Sequence, residues 1–295
     1  IKRFQKFHSS KKFIMDRVTE TLGDLYGMHW PYKQHKSSRN QRLLPYHDEL
    51  KKAGACFGQS GEYERPMWYA LDGVKPEYKY SFNNQNWYSS VEHECKNTIR
   101  NVGLFELSPF SKYEIKGEKA YVELQRLCTA NIKSEVGKCT YTHMLNEGAG
   151  IETDLTVVCI DKNQFRIISS AAVRTHDKAH ILRHLSKNVE FKDITDELIC
   201  LGIFGPKSRD LLSKITQENL SNENFKFGES KNIKFGLIDV WIQRLSYVGE
   251  LGYELYVKKN KAKEIYNHIV DIGKDFGLTH CCLLYTSPSP RDATL

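Results

Sequence analysis

Cys139-Thr140-Tyr141-Thr142-His143-Met144-Leu145-Asn146, Glu147-Gly148-Ala149-Gly150, and Ile151-Glu152-Thr153-Asp154-Leu155-Thr156-Val157-Val158-Cys159-Ile160 form the stretch on which the fold turns. Two runs rich in β-branched and aromatic residues flank a glycine turn, which predicts strands over 139–146 and 153–160 joined as an antiparallel hairpin. Asp161-Lys162-Asn163 is a second tight turn into a third strand over 165–169. Upstream, 104–107 and 112–116 read as strands around a Ser-Pro turn, and 118–128 reads as a helix with Ala120, Leu124 and Leu127 on one face. Downstream, a helix over 172–187 leads to strands at 189–194 and 198–204, and Pro206 sits where a helix begins. Further strands fall at 237–245 and 251–257. The last helix repeats Ala262, Ile265, Tyr266, Ile269, Ile272 and Phe276 along one face. Strands joined by short turns, with helices between them, predict an α+β fold of mostly antiparallel sheets with flanking helices.

The N-terminal part is less regular. A helix is predicted around 16–25 and another helix-like stretch around 43–54. Gly58-Gln59-Ser60-Gly61 reads as a turn, 72–86 as a Pro/Gly/Asn-rich linker, and 91–101 as a helix opening the regular region. The expected division is therefore 1–86, 87–281 and a tail over 282–295. That tail, Cys282-Leu283-Leu284-Tyr285-Thr286-Ser287-Pro288-Ser289-Pro290-Arg291-Asp292 and on, resembles a sequencing-library adapter translated in frame. It is expected to lie outside the fold, as a natural Ser/Pro-rich tail would also do. The chain opens at Ile1 followed by Lys2 and Arg3, so its natural start is expected upstream.

At 295 residues and 40% hydrophobic content the chain has ample material for a core. No apolar run approaches the length of a membrane span. The net charge of +7 resides in residues 1–52, which hold twelve Lys/Arg against five Asp/Glu, so the rest is neutral. That basic segment lacks a stacking signature or a recognition-helix pattern, which argues for a solvated edge over nucleic-acid binding. The eight cysteines contain no CxxC pair and sit mostly in apolar runs. They read as small buried hydrophobes of a reducing compartment.

Two segments carry candidate chemistry. In Tyr247-Val248-Gly249-Glu250-Leu251-Gly252-Tyr253-Glu254-Leu255-Tyr256, an extended 250–256 places Glu250, Gly252 and Glu254 on one face. Carboxylates beside a glycine suit a ligand that approaches the backbone and offers paired N–H donors, such as the amino-pyrimidinone edge of a pterin. An edge strand with two solvated glutamates and a bulge glycine fits the same residues. Asp154, beginning a strand after a glycine turn, suits a proton acceptor or a cation stabiliser, and equally an aspartate bonded to its own turn. His176, His180 and His184 recur at helical spacing, but without an acidic or Cys companion they read as a solvated face, and no metal is expected. GxGxxG, GxxxxGK[ST] and GxSxG motifs are absent, so the chain shows no dinucleotide loop, triphosphate loop or acyl-transfer elbow.

Taken in order, LLPYHDELKKAGACFG, YERPMWYA, SFNNQNWYSSVEHE, VGLFELSPFSKYEIKG, YTHMLNEGAGIETDLTV, ITDELICLGIFGPKSRDLLSKIT and SYVGELGYELY resemble the dimethylglycine and sarcosine dehydrogenase family over about residues 20–281. The resemblance implies a mitochondrial-matrix flavoprotein. Covalently bound FAD oxidises an N-methyl amine, dimethylglycine or sarcosine, and electrons pass to electron transfer flavoprotein. A domain similar to the aminomethyltransferase of the glycine cleavage system hands the one-carbon unit to tetrahydrofolate. This chain would hold part of the central domain and most of the folate domain; flavin and amine specificity would lie elsewhere, leaving this piece alone inactive. By position, Asp154 matches the carboxylate near the reacting folate nitrogens, and Tyr247 and Glu254 match the pair that packs on and hydrogen-bonds the pterin. Tyr141 and Arg174 match ring packing and a hold on the anionic glutamate tail, and Glu250 is expected to support the loop. The rival is a non-enzymatic relative, the regulatory subunit of pyruvate dehydrogenase phosphatase, which acts by protein contact.

Overall fold

The computed structural model describes residues 6–27, 33–60 and 63–283. It divides into two compact units, with the boundary between Ser90 and Val91 in the first turn of a helix that continues into the second unit. The first holds α1 (Lys11–Gly23), α2 (His47–Lys52) and the antiparallel pair β1 (Ala55–Ser60) and β2 (Tyr63–Tyr69). The turn expected at 58–61 is instead the end of β1 as far as Ser60, with 61–62 outside the described residues. Gly58 pairs with Arg65 in the ladder, and Met67 and Gln34 occupy the space a side chain there would fill. Glu64 is buried and held by Arg39, whose Nε donates to Oε1 at 2.9 Å. Between β2 and the next helix the chain has no regular element, but Tyr78, Tyr80 and Trp87 pack ring against ring.

The second unit carries α3 (Tyr88–Arg100), β3 (Val102–Glu106), β4 (Ser111–Lys116), α4 (Ala120–Leu127), β5 (Cys139–Leu145), β6 (Ile151–Asp161), β7 (Gln164–Ser169) and α5 (Arg174–His184). It continues with β8 (Glu190–Asp193), β9 (Leu198–Phe204), α6 (Ser208–Ile215), β10 (Ser230–Phe235), β11 (Ile238–Gln243), β12 (Gly252–Lys258), α7 (Ala262–Gly273) and β13 (Leu278–Cys281). The strands form a six-stranded sheet, β10-β11-β12-β9-β3-β13, and a five-stranded sheet, β5-β6-β7-β4-β8. Every pairing is antiparallel except β13 with β3, so the expected α+β class and mostly antiparallel sheets hold.

Alternation along each strand decides the layers. On the five-stranded sheet Tyr113, Ile115, Leu155, Val157, Phe165 and Ile167 face one way and pack with Leu124 of α4 and Ile181 of α5. Their neighbours Val158 and Ile168 face the other way and pack with Phe105, Cys200, Phe204 and Tyr256 of the six-stranded sheet. The two sheets thus stack face to face, and the layer between them is the second core. All eight cysteines are free thiols, seven of them buried. The chain stays folded through Cys282 and Leu283, both buried, two residues beyond the expected end; residues 284–295 lie outside the described residues.

Gly205 makes the turn from β9 toward α6 at φ +125°, with its N–H donating to Leu251 O at 2.8 Å. A Cβ there would collide with the main-chain carbonyls of Thr98 and Asn101. Gly205→Ala is therefore expected to cost at least about 2 kcal/mol, through strain and displaced backbone. Urea unfolding should show a lower midpoint at unchanged slope.

Candidate functional site

The layer between the sheets carries an unusual amount of polarity. On the six-stranded sheet one row runs Phe105, Gly202, Glu254, Gln243, each paired in register with the next, so their side chains share a face. The row beside it holds Cys200, Tyr256 and Trp241. On the facing sheet one row runs Lys112, Ile168, Thr156, Tyr141, and the row toward the hairpin tip pairs Asp154 with His143.

Strand β12 lies inside its sheet, between β11 and β9, so Glu254 is no solvated edge residue: it is 3% exposed. The strand begins only at Gly252, and Glu250 falls in the preceding bend, so the expected three-residue face reduces to Gly252 and Glu254. Tyr256 donates its hydroxyl to Glu254 Oε2 at 2.7 Å. Burial pushes the Glu254 carboxyl above the ordinary carboxylate range, while the Tyr256 hydrogen bond and the positive charge of Lys112 pull it back. Beside it Gln243 is fully buried, and among the described residues neither end of its amide finds a partner. Buried amides are almost always bonded, so this one is an orphaned polar group beside Glu254.

Tyr247 sits in the bend before β12, 44% exposed, with its ring 5.7 Å from that of Phe110. Its phenol is pushed well up, first by burial and then by the negative charges of Glu254 and Asp154, with Cys200 and Tyr141 adding smaller effects. Tyr247 is thus where the fields of the two carboxylates, one from each sheet, meet. Asp154 lies within β6, three residues past its start rather than at the strand mouth, and is exposed. It accepts the Tyr141 hydroxyl at 3.3 Å, and Tyr141 is itself 62% exposed. Burial and the Asp154 charge raise the Tyr141 phenol.

The structure therefore brings Asp154, Tyr141, Tyr247 and Glu254 to one region. Arg174 is engaged differently: it opens α5 and is clamped by Asp193 at 2.9 Å and Asp196 at 3.2 Å, which keep it charged despite its burial. The helical histidines are not a uniform solvated face, since His180 is 5% exposed and His176 Nε2 lies 2.8 Å from Glu152. Among the described residues no group of three or more His, Cys, Asp or Glu could hold a metal.

Chemically, the arrangement offers a deep acceptor, Glu254, for N–H donors, an outer carboxylate, Asp154, for orienting or stabilising a developing cation, and two tyrosine rings for a planar ligand. Sequence reasoning missed Lys112, Gln243, Tyr256 and Phe110. For Tyr256 the signal was present, as the residue two places after Glu254 on the same strand face. Gln243 carried none, because its cross-strand partner is set by register.

Residues 46–285 match the family model of the GCVT N-terminal domain. The chain belongs to the GCVT N-terminal domain family. Residues 1–43 match the FAD dependent oxidoreductase central domain. Among relatives of this GCVT-domain chain, 4-methylaminobutanoate oxidase (formaldehyde-forming) of Paenarthrobacter nicotinovorans is 36% identical, over 94% of this chain and 34% of that protein. Mitochondrial dimethylglycine dehydrogenase of Rattus norvegicus is 36% identical over 92% and 32%, as the motif resemblance led one to expect. The mitochondrial pyruvate dehydrogenase phosphatase regulatory subunit of Mus musculus is 28% identical over 94% and 33%. The chain spans about one third of the length of these relatives. The glycine cleavage system aminomethyltransferase T from Bartonella henselae shares the fold at TM-score 0.67 and 22% identity, over 81% of this chain and 59% of that one.

Proposed function

We propose that this chain is the folate-side part of a longer flavoprotein that oxidatively demethylates dimethylglycine, sarcosine or a related N-methyl amino acid and passes the one-carbon unit to tetrahydrofolate. The observation that carries the reading is Glu254, a carboxylate at 3% exposure on an interior strand, facing a second sheet that supplies Asp154 and Tyr141. A buried carboxylate needs bonded partners; Tyr256 supplies one, and two N–H donors of a pterin edge would match its two oxygens. Tyr247 would pack on the ring. Asp154 would orient the reacting nitrogens and stabilise positive charge as the carbon is transferred. Glu250 would support the loop, and Arg174, already neutralised by two aspartates, is the weakest of the residues proposed for the site.

The match to the FAD dependent oxidoreductase central domain supports FAD as the parent protein's oxidant, and the mitochondrial relatives support a mitochondrial compartment. Electron transfer flavoprotein as electron acceptor and the matrix as the compartment are part of the proposal itself. This chain has no glycine-rich dinucleotide loop, so no step through the flavin is assigned to its residues. Among the described residues no helix is long and apolar enough to cross a membrane.

Titration of the parent protein with tetrahydrofolate under anaerobic conditions tests the reading. Saturable binding, with methylene-tetrahydrofolate displacing formaldehyde as the one-carbon product during turnover, is expected. No saturable uptake would reject it and favour protein contact of the phosphatase-regulator kind, a reading that the 28% relative keeps in view.

A further inference from the structure

Lys112 is a cation with no solvent. It is 0% exposed, on β4, on the face turned toward the six-stranded sheet. Among the described residues no carboxylate forms an ion pair with it: its amine donates to the main-chain carbonyls of Ser108 and Phe110, both at 2.8 Å. Those bonds tie down the turn between β3 and β4. A second set of bonds fixes the same turn from the other side, since Glu106 accepts the Ser108 N–H and Cys200 N–H donates to Ser108 Oγ at 3.0 Å. The turn presents Phe110, whose ring lies against Tyr247. A buried ammonium is costly, and its two carbonyl bonds, with the negative charge of Glu106 nearby, offset only part of that cost.

We propose that Lys112 is a positioning residue of the folate site: its ammonium is buried with Glu254 in the layer between the sheets, where its charge favours the ionised carboxylate that a ligand's N–H donors require, while its two carbonyl bonds hold Phe110 beside Tyr247. This deepens the folate reading and rests on it. The charged and titratable groups around the pair come from every packed element. They are Tyr256 on β12, Cys200 on β9, Cys139 on β5, Glu106 on β3, Asp196 after β8, Arg174 on α5 and Tyr247 in the bend, with Asp154, Tyr141 and His143 at the rim. Burial lowers Lys112 to about 8, whereas the Cys139 thiol rises to about 12, and the Cys200 thiol and the Tyr247 and Tyr256 phenols are also pushed up. Lys112 is then a member of the buried layer that changes charge just above neutrality. A ligand that needs its charge raises that pKa on binding, so affinity falls as pH climbs through about 8.

The test compares wild-type parent protein with Lys112→Gln, which keeps an N–H donor for the carbonyls but no charge, and Lys112→Met, which keeps neither. Binding of tetrahydrofolate and of tail-less 6-methyltetrahydropterin is measured anaerobically from pH 7 to 9. Wild type should weaken across this range. Lys112→Gln should bind about tenfold more weakly at pH 7 and show no further decline, for both ligands alike. Lys112→Met should be weaker still, with altered Tyr247 fluorescence or ring-proton shifts. If Lys112→Gln binds like wild type, or binds weakly yet keeps the alkaline decline, the positioning role is overturned while folate binding stands. If wild type binds neither ligand, the folate reading itself fails. Should Lys112→Met not fold, Lys112→Gln and the wild-type pH profile decide alone.

Discussion

Replacing Glu254 with Gln should weaken tetrahydrofolate binding by about 10- to 100-fold, because a charge-assisted hydrogen bond contributes about 1.5–3 kcal/mol and each tenfold is about 1.4. The same change should leave the unliganded protein as stable as before, or more so, at neutral pH. Burial raises the Glu254 carboxyl, so the folded state holds a proton there that the unfolded chain releases. Wild-type stability therefore declines as pH rises from the ordinary value of 4.5 through the raised folded value. Gln cannot ionise, yet its amide oxygen still accepts the Tyr256 hydroxyl, so the variant's stability should stay flat over that window. Isothermal titration with folate and thermal melts from pH 4 to 8 read both effects. A variant that binds folate normally, or melts lower with pH in parallel with wild type, would remove Glu254 from the site.

Asp154→Asn should act on rate rather than affinity. Its carboxylate is exposed and accepts a single described hydrogen bond, from Tyr141, so removing the charge should change stability by less than about 0.5 kcal/mol. If it stabilises positive charge during transfer, its loss should slow methylene-tetrahydrofolate formation by about 100-fold, in the range seen when one preorganised electrostatic group is removed. Folate affinity should move by less than about threefold. Single-turnover assays that follow folate product and free formaldehyde separate the outcomes. The expected result is formaldehyde release with amine oxidation intact. Undiminished folate product would leave Asp154 a surface residue.

The glycine turns and the alternating runs around them were enough to anticipate the hairpin β5–β6 and the third strand β7, because turn chemistry and period-2 patterning are local. Helix α7 was equally plain, its apolar residues spaced for one face. Gly58 misled, since a glycine that permits close approach in a strand looks the same in sequence as one that makes a turn. The candidate site divides along the same line. Asp154, Tyr247 and Glu254 could be singled out from motifs, but the motif left Glu254 as plausible on an exposed edge as in a pocket. Its place between β11 and β9 resolved that.

What the amino-acid order determined by itself is the run of strands and helices from β3 to β9 with β11, β12 and α7, the antiparallel turns that join them, and the resemblance of its motifs to a known family. Each of these depends on residues a few positions apart. Strands β1, β2, β10 and β13 were not legible in that order. Only the stacking of one sheet on the other decided which polar residues are dry. Along β4, alternation sets Lys112 and Glu114 opposite Tyr113 and Ile115, and a lone strand would place both in water. The second sheet covers that face and turns Lys112 into a buried cation opposite a buried carboxylate, 142 positions along the chain from its own. Burial is a property of what lies across the layer, and no local pattern encodes it.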